Sequence, residues 1–214
     1  MSFDGIARWY RSLEWMAFRD ELQHCRVACL GQIVTPRRAL IVGEGDGRFL
    51  HQFLSKYPAT EIDCLDASEQ MLQLARERIR DLPGRERVRF LHRDTESWAP
   101  PQNYYDLLVT HFVLDCFSEV QSPEIVEKLA RAATDNASWL LADFCVPSAG
   151  FARLRARLWL AVMYKFFRLI ARIPATRLID PTRYLRAERF GLSGQELFRR
   201  GMLKSELWRR HSAV

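Results

Sequence analysis

A doubly wound α/β fold is predicted, with a mainly parallel seven-stranded sheet, helices on both faces and an antiparallel C-terminal hairpin. Three observations predict it. Short apolar runs alternate with segments of helical apolar spacing from Ala39 to Phe144. The first run, Leu40-Ile41-Val42, meets glycines at alternate positions, Gly43, Gly45 and Gly47, before helical spacing resumes at Phe49 and Leu50. After Phe151 the alternation stops, and residues 192–200 and 202–210, separated by Gly201, read as a closing strand pair.

In chain order, residues 3–30 lack proline and are dense in aromatics, which predicts one or two helices lying over the domain. Thr35-Pro36 breaks that pattern ahead of a first strand at 39–42. Phe49, Leu50, Phe53 and Leu54 then mark a short helix, and Glu61 to Asp66 a second strand. Ser68 is placed to cap a helix whose apolar positions are Met71, Leu72, Leu74, Ala75 and Ile79. Pro83-Gly84 turns the chain into a third strand at 87–92, and residues 105–110 form a fourth with an aromatic exit from His111 to Phe117. Ser122 as N-cap and Pro123 at the first helical position predict a helix burying Ile125, Val126, Leu129, Ala130 and Ala133. A fifth strand covers 139–144, and a short helix 182–190 precedes the hairpin.

The 214 residues, 48% hydrophobic and 27% charged, suit a single domain. It divides into a helical cover (1–34), a central core (35–150), a helical lid or substrate region (151–190) and the closing strands (191–214). The five cysteines show no CxxC spacing, which argues against a disulfide framework or a metal site. No apolar run approaches the roughly 18 residues of a spanning helix, and the charged, aromatic N-terminus does not resemble a secretion signal. A cytoplasmic location is expected. The net charge of +6 is uneven. Residues 151–214 hold 15 Lys/Arg against 4 Asp/Glu, a balance of +11, whereas residues 1–150 hold 17 against 22, a balance of −5. An anionic partner belongs on the C-terminal side.

The glycine loop carries the chemistry. A dinucleotide fingerprint needs glycine at its sixth position, where this chain has Arg48. Glu44 and Asp46 add carboxylates where a helix N-terminus otherwise receives phosphate. A cationic ligand without phosphate fits better, and S-adenosylmethionine is one, with a sulfonium and an ammonium. Asp66, at the carboxyl end of the second strand, falls beside this loop in a doubly wound sheet and can accept both hydroxyls of a ribose. Asp94 follows the third strand in the same way.

Gly43-x-Gly45-x-Gly47, Asp66-Ala67-Ser68 with Met71-Leu72, Asp94, and the aromatic end of the fourth strand together resemble the class I S-adenosylmethionine-dependent methyltransferases, which share a Rossmann-like fold. The pattern is similar to that of quinone and other small-molecule members and extends over roughly Phe3 to Arg210. The resemblance implies that Gly43, Glu44, Gly45 and Gly47 contact the methionine part of the cofactor and Asp66, with Ala67 and Met71 nearby, its ribose. It further implies that Asp94, beside Thr95, binds the adenine amino group and that His111 touches the cofactor. Family members commonly carry an acid two residues before the first loop glycine; Ile41 stands there, and Glu44 is the substitute. Tyr10 is the lid candidate, against ordinary packing. His111 and Asp115 are the candidate bases for an acceptor that must lose a proton.

The acceptor implied is a small apolar or amphiphilic molecule. Residues 151–173 have three readings: a lid over an apolar pocket, a core helix, or a helix docking on an anionic membrane surface. Two further classes stay open, a nucleic-acid methyltransferase or binding protein using the basic C-terminal region, and a non-catalytic cofactor-binding protein. Thr110-His111-Phe112 lacks the Asn/Asp-Pro-Pro-aromatic motif of methyltransferases acting on the amino groups of bases, which disfavours nucleic acid.

Overall fold

A computed structural model of the chain describes residues 20–147, 150, 153–154 and 178–211. Tyr10 lies outside the described residues, as does the segment 151–173 apart from Arg153 and Leu154.

The strands are β1 (Arg38–Val42), β2 (Glu61–Asp66), β3 (Val88–His92), β4 (Tyr105–His111), β5 (Ala133–Phe144), β6 (Phe190–Phe198) and β7 (Leu203–Arg210). They form one seven-stranded sheet in the order β3-β2-β1-β4-β5-β7-β6. The first five run parallel, and β7 joins β5 antiparallel, with Asp143 opposite Lys204 and β6 outside it. The order reverses beside β1, between β2 and β4. The carboxyl ends of these strands therefore splay apart at that point and leave a crevice.

The helices are α1 (Glu21–Val27), α2 (Arg48–Lys56), α3 (Glu69–Ile79), α4 (Gln121–Ala132) and α5 (Thr182–Ala187), with a 3₁₀ turn at Ala28–Gln32 after α1. One sheet face, through Ile41, Ile62 and Val109, packs Phe49, Phe53, Leu72 and Ala75 of α2 and α3. The opposite face, through Leu40, Leu108 and Trp139, packs Ile125, Val126 and Leu129 of α4 and Leu185 of α5. β1 is covered on both faces, which is why four of its five residues are fully buried and its sequence reads as an unbroken apolar run.

Several boundaries differ from expectation, each for a local reason. α4 begins one residue before Ser122 because Ser118 and Gln121 make a reciprocal cap: Gln121 N donates to Ser118 Oγ at 3.3 Å and Ser118 N to Gln121 Oε1 at 3.0 Å. Ser122 instead donates its hydroxyl to Ser118 O at 2.8 Å. β5 starts at Ala133, six residues before the expected Trp139, so Ala133 is a buried strand residue and not the last helical one. Leu74, expected in the core of α3, is 38% exposed. Ser68 caps α3 as expected, accepting Met71 N at 3.3 Å.

Candidate cofactor and substrate cleft

The crevice is a cleft of about 860 Å³, counting the space open to solvent. Its lining draws on the glycine loop, the β2 end (Asp66, Ala67, Met71), the β3 end (Asp94, Thr95), the β4 exit (His111, Phe112, Val113, Cys116, Phe117) and Arg26 of α1. The structure thus gathers Gly43, Glu44, Gly45, Asp66, Ala67, Met71, Asp94, Thr95 and His111 around one space. Gly47 and Asp115 are not among its lining residues.

Asp66 is an acid of the cleft that is held at both oxygens. It is 8% exposed, its Oδ2 accepts Gly45 N at 3.1 Å and its Oδ1 accepts Ser68 N at 2.9 Å. The same side chain thus ties the β1 loop to the start of α3.

Glu44 and Asp46, paired in the sequence argument, separate in the structure. Asp46 also lines the cleft, but it is bound by Arg78 Nη2 at 2.9 Å and Arg48 Nε at 3.3 Å, so its charge is balanced within the protein. Glu44 is 9% exposed and turns Oε1 toward α2, accepting Leu50 N at 2.9 Å. Burial pushes its carboxyl up to about 8, against the opposing pull of the Leu50 amide and of Arg26. Burial thus favours the protonated carboxyl of Glu44 near neutral pH.

His111 is 7% exposed, and its ring stands edge-on to Phe49 with centroids 4.5 Å apart. Burial first, and the Arg26 cation second, hold its pKa well below the usual imidazole range, so the ring is neutral. Its Nδ1 is buried and has no hydrogen-bond partner among the described residues. Asp115 is 4% exposed and sits near Asp143, whose carboxyl is pushed up by burial and by Asp115.

Asp94 accepts Glu96 N at 2.9 Å through Oδ1, and Thr95 O accepts Lys128 Nζ at 3.1 Å, which anchors that loop to α4. Arg26 and the Phe112, Val113, Cys116 and Phe117 wall were not among the sequence candidates. The aromatic exit hinted at the wall. Arg26 carried no signal, being one charge among many in an amphipathic helix.

A class I methyltransferase cofactor fits these residues. Gly45 carries no side chain, and a Cβ placed on it would meet nothing within 4 Å, so its backbone faces open space. Acceptors at Asp66 and Asp94, an acid at Glu44 and an apolar wall at Met71, Val113 and Phe117 suit a ribose, an amino group, a cation and a flat ring. Among the described residues no group of three His, Cys, Asp or Glu could hold a metal ion. No helix among them is long and apolar enough to cross a membrane.

Residues 39–136 match the family model described as a methyltransferase domain. The chain is 35% identical over 72 residues to malonyl-(acyl-carrier protein) O-methyltransferase 1 of Ilyobacter polytropus, which covers 34% of this chain and 25% of that protein. It is 30% identical over 113 residues to malonyl-(acyl-carrier protein) O-methyltransferase of Halalkalibacterium halodurans, covering 51% of this chain and 40% of that one. The chain thus spans less than half the length of these two relatives. In fold it is similar to Burkholderia thailandensis 1,6-didemethyltoxoflavin-N1-methyltransferase bound to 1,6-didemethyltoxoflavin and S-adenosylhomocysteine, with TM-score 0.68, 15% identity, and 98% and 86% of the two chains covered. An O-methyltransferase family 2 protein of Planctomyces limnophilus in complex with apigenin gives TM-score 0.72 at 17% identity, with 98% and 62% covered. With the sheet order and the glycine loop leading into the Asp66 strand end, the family match identifies residues 39–136 as a methyltransferase domain, in line with an S-adenosylmethionine-dependent enzyme of class I.

Proposed function

We propose that the protein transfers a methyl group from S-adenosylmethionine to a small apolar or amphiphilic molecule seated against the β4 exit. The observation that carries this reading is that one cleft combines acids at the β2 and β3 ends, Asp66 and Asp94, with apolar residues at the β4 exit, Val113 and Phe117. The sulfonium supplies a methyl group reactive enough for direct in-line displacement. The protein's own residues then have to orient two ligands and exclude water. Asp66 takes the ribose hydroxyls, Asp94 the adenine amino group, Glu44 the cationic amino-acid end, and the Met71 and Phe117 side chains cover apolar faces. His111, neutral and held below its usual pKa, is a weak base; its part in this reading is to hydrogen-bond a ligand.

The test is methyl transfer from radiolabelled cofactor into cell extract, separated into lipid, small-molecule, nucleic-acid and protein fractions. Label in the small-molecule or lipid fraction is expected. Label confined to nucleic acid or protein would sink the reading.

Glu44 gives a second prediction, with its sign set by burial. The ammonium of S-adenosylhomocysteine favours the ionised carboxylate, and Glu44 in the free protein ionises only near pH 8. Binding below that pH must expel a proton, so affinity should rise by about tenfold or more from pH 6 to pH 8 and level off above. In Glu44→Gln the rise should vanish, and calorimetry in buffers of different ionisation enthalpy should lose the proton-release component. An unchanged pH profile in the variant would remove Glu44 from the cofactor site.

A further inference from the structure

The crossover from β3 to β4, residues 93–104, carries no helix among the described elements, although a parallel connection usually does. Asp94 and Thr95 of this crossover line the cleft, so ties other than a helical ladder must fix them. Its start is tied to the β2 end, Arg93 N donating to Asp66 O at 3.2 Å. Its end is tied to the last turn of α4, where Asn103 N and Tyr104 N donate to Arg131 O and Ala132 O at 2.9 and 2.8 Å. Between these ties comes Lys128, about one turn earlier on α4. Both hydrogen bonds that its ammonium makes among the described residues go to main-chain carbonyls, Thr95 O at 3.1 Å and Glu96 O. The peptide group joining Thr95 to Glu96 therefore offers its oxygen to Lys128 and its N–H to Asp94 Oδ1, the latter at 2.9 Å. One amide is clamped between a cation and an acid of the cleft, and the cation on its oxygen polarises the N–H on its other side. Burial alone would raise the Asp94 pKa; the Glu96 amide and the Lys128 cation are among the contacts that bring it below the usual carboxylate value.

We propose that Lys128 is a positioning residue that sets the base specificity of the cleft: through the peptide group between Thr95 and Glu96 it fixes the Asp94 carboxylate so that the site accepts a 6-aminopurine and rejects a 6-oxopurine. The proposal rests on the reading in which Asp94 takes the adenine amino group, and it extends that reading by naming what makes the acid selective. A carboxylate on a loose loop can turn away from a group it does not fit, and then discriminates weakly. A carboxylate held in one orientation cannot avoid a 6-oxo group, whose lone pairs face its own. That repulsive element is what separates two ligands of the same shape. Lys128 itself touches no base; it acts on the acid through one amide.

The experiment measures by calorimetry the affinities of S-adenosylhomocysteine and of S-inosylhomocysteine, in which a carbonyl replaces the 6-amino group, for the wild type, Lys128→Met, Asp94→Ala and the double variant. Thermal melting confirms that each folds, and Lys128→Gln, which also removes the cation, serves if Lys128→Met does not. The wild type should prefer the adenosine form by about 100-fold, as expected when one charge-assisted hydrogen bond gives way to two facing acceptors. Lys128→Met should cut that ratio about tenfold. In Asp94→Ala the preference should already be lost, and adding Lys128→Met should not change the ratio further, because Lys128 acts through Asp94. A merely structural role for Lys128 would weaken both ligands alike and leave the ratio where it was. A selective wild type whose ratio moves by less than about threefold in Lys128→Met therefore overturns the proposal alone, as does a further change of ratio in the double variant. Equal binding of the two ligands by the wild type would instead refute the Asp94 reading, and binding of neither would refute the cofactor reading; in both cases the proposal falls with it.

Discussion

Replacing Asp66 by alanine is expected to weaken S-adenosylhomocysteine binding by at least about 100-fold, since two hydrogen bonds from ribose to a charged acceptor are lost at about 1.5–3 kcal/mol each. The expected loss is this large because the carboxylate also shapes the site before any ligand arrives. Its two oxygens accept Gly45 N and Ser68 N, at 3.1 and 2.9 Å, so the alanine variant releases the glycine loop and the entry to α3 together. Asp66 is 8% exposed, and the Ser68 amide it accepts is buried; leaving that donor unpaired costs about 1–3 kcal/mol of folding stability. Asp66→Asn separates the two roles. The amide keeps one acceptor oxygen but turns an NH₂ toward the other backbone donor, so affinity should fall as in the alanine variant while stability falls by less. Calorimetric titration and urea unfolding of both variants provide the check. Binding by Asp66→Ala within threefold of wild type would show that the ribose lies elsewhere.

What the sequence could reveal follows the range of the interactions concerned. The sheet was legible because burial on both faces leaves β1 and the centre of β4 as apolar runs, and the glycines and Asp66 were legible because they stand at the ends of strands that alternate with helical spacing. Partners far apart in the chain were not legible. Asp46 looked like half of an anionic loop until Arg78, 32 residues on, closed on it at 2.9 Å. Arg26 reaches the cleft only because α1 folds back over the β4 exit. The early start of β5 was hidden for a different reason: Ala132-Ala133-Thr134-Asp135 contains no glycine or proline to stop α4, and the helix ends because Ala133 pairs with Tyr105. Ser122 and Ser118 are both plausible caps by residue type, and Gln121 decides between them by completing the reciprocal pair.

Two substitutions in the same loop should have opposite signatures, and the difference tests which glycine faces the ligand and which faces the fold. Gly47 has φ +84° and caps α2, and a Cβ there would stand 2.6 Å from Ala75 Cα and 3.0 Å from Ala75 Cβ. Those atoms belong to the backbone of α3 and to its shortest side chain, so no rotamer change can make room and the two helices must part. Left-handed strain of about 1–2 kcal/mol and overpacking of about 1–3 kcal/mol together put the cost of Gly47→Ala near 3–4 kcal/mol. For a chain of this length that lowers the melting temperature by about 10 °C. Gly45 has φ +72°, and a Cβ would meet nothing within 4 Å. Gly45→Ala should carry only the left-handed strain, lowering the melting temperature by about 3–5 °C. Its methyl would project where the loop lines the cleft, so S-adenosylhomocysteine affinity should drop about tenfold or more, as for any well-seated ligand pushed out of contact. Thermal melting and calorimetry on the two variants must therefore rank them in opposite orders, Gly47→Ala worse in stability and Gly45→Ala worse in binding relative to its stability loss. A Gly47→Ala protein that melts like the wild type would mean that the α2–α3 contact yields without cost, and a Gly45→Ala protein with unaltered affinity would place the cofactor away from the loop backbone.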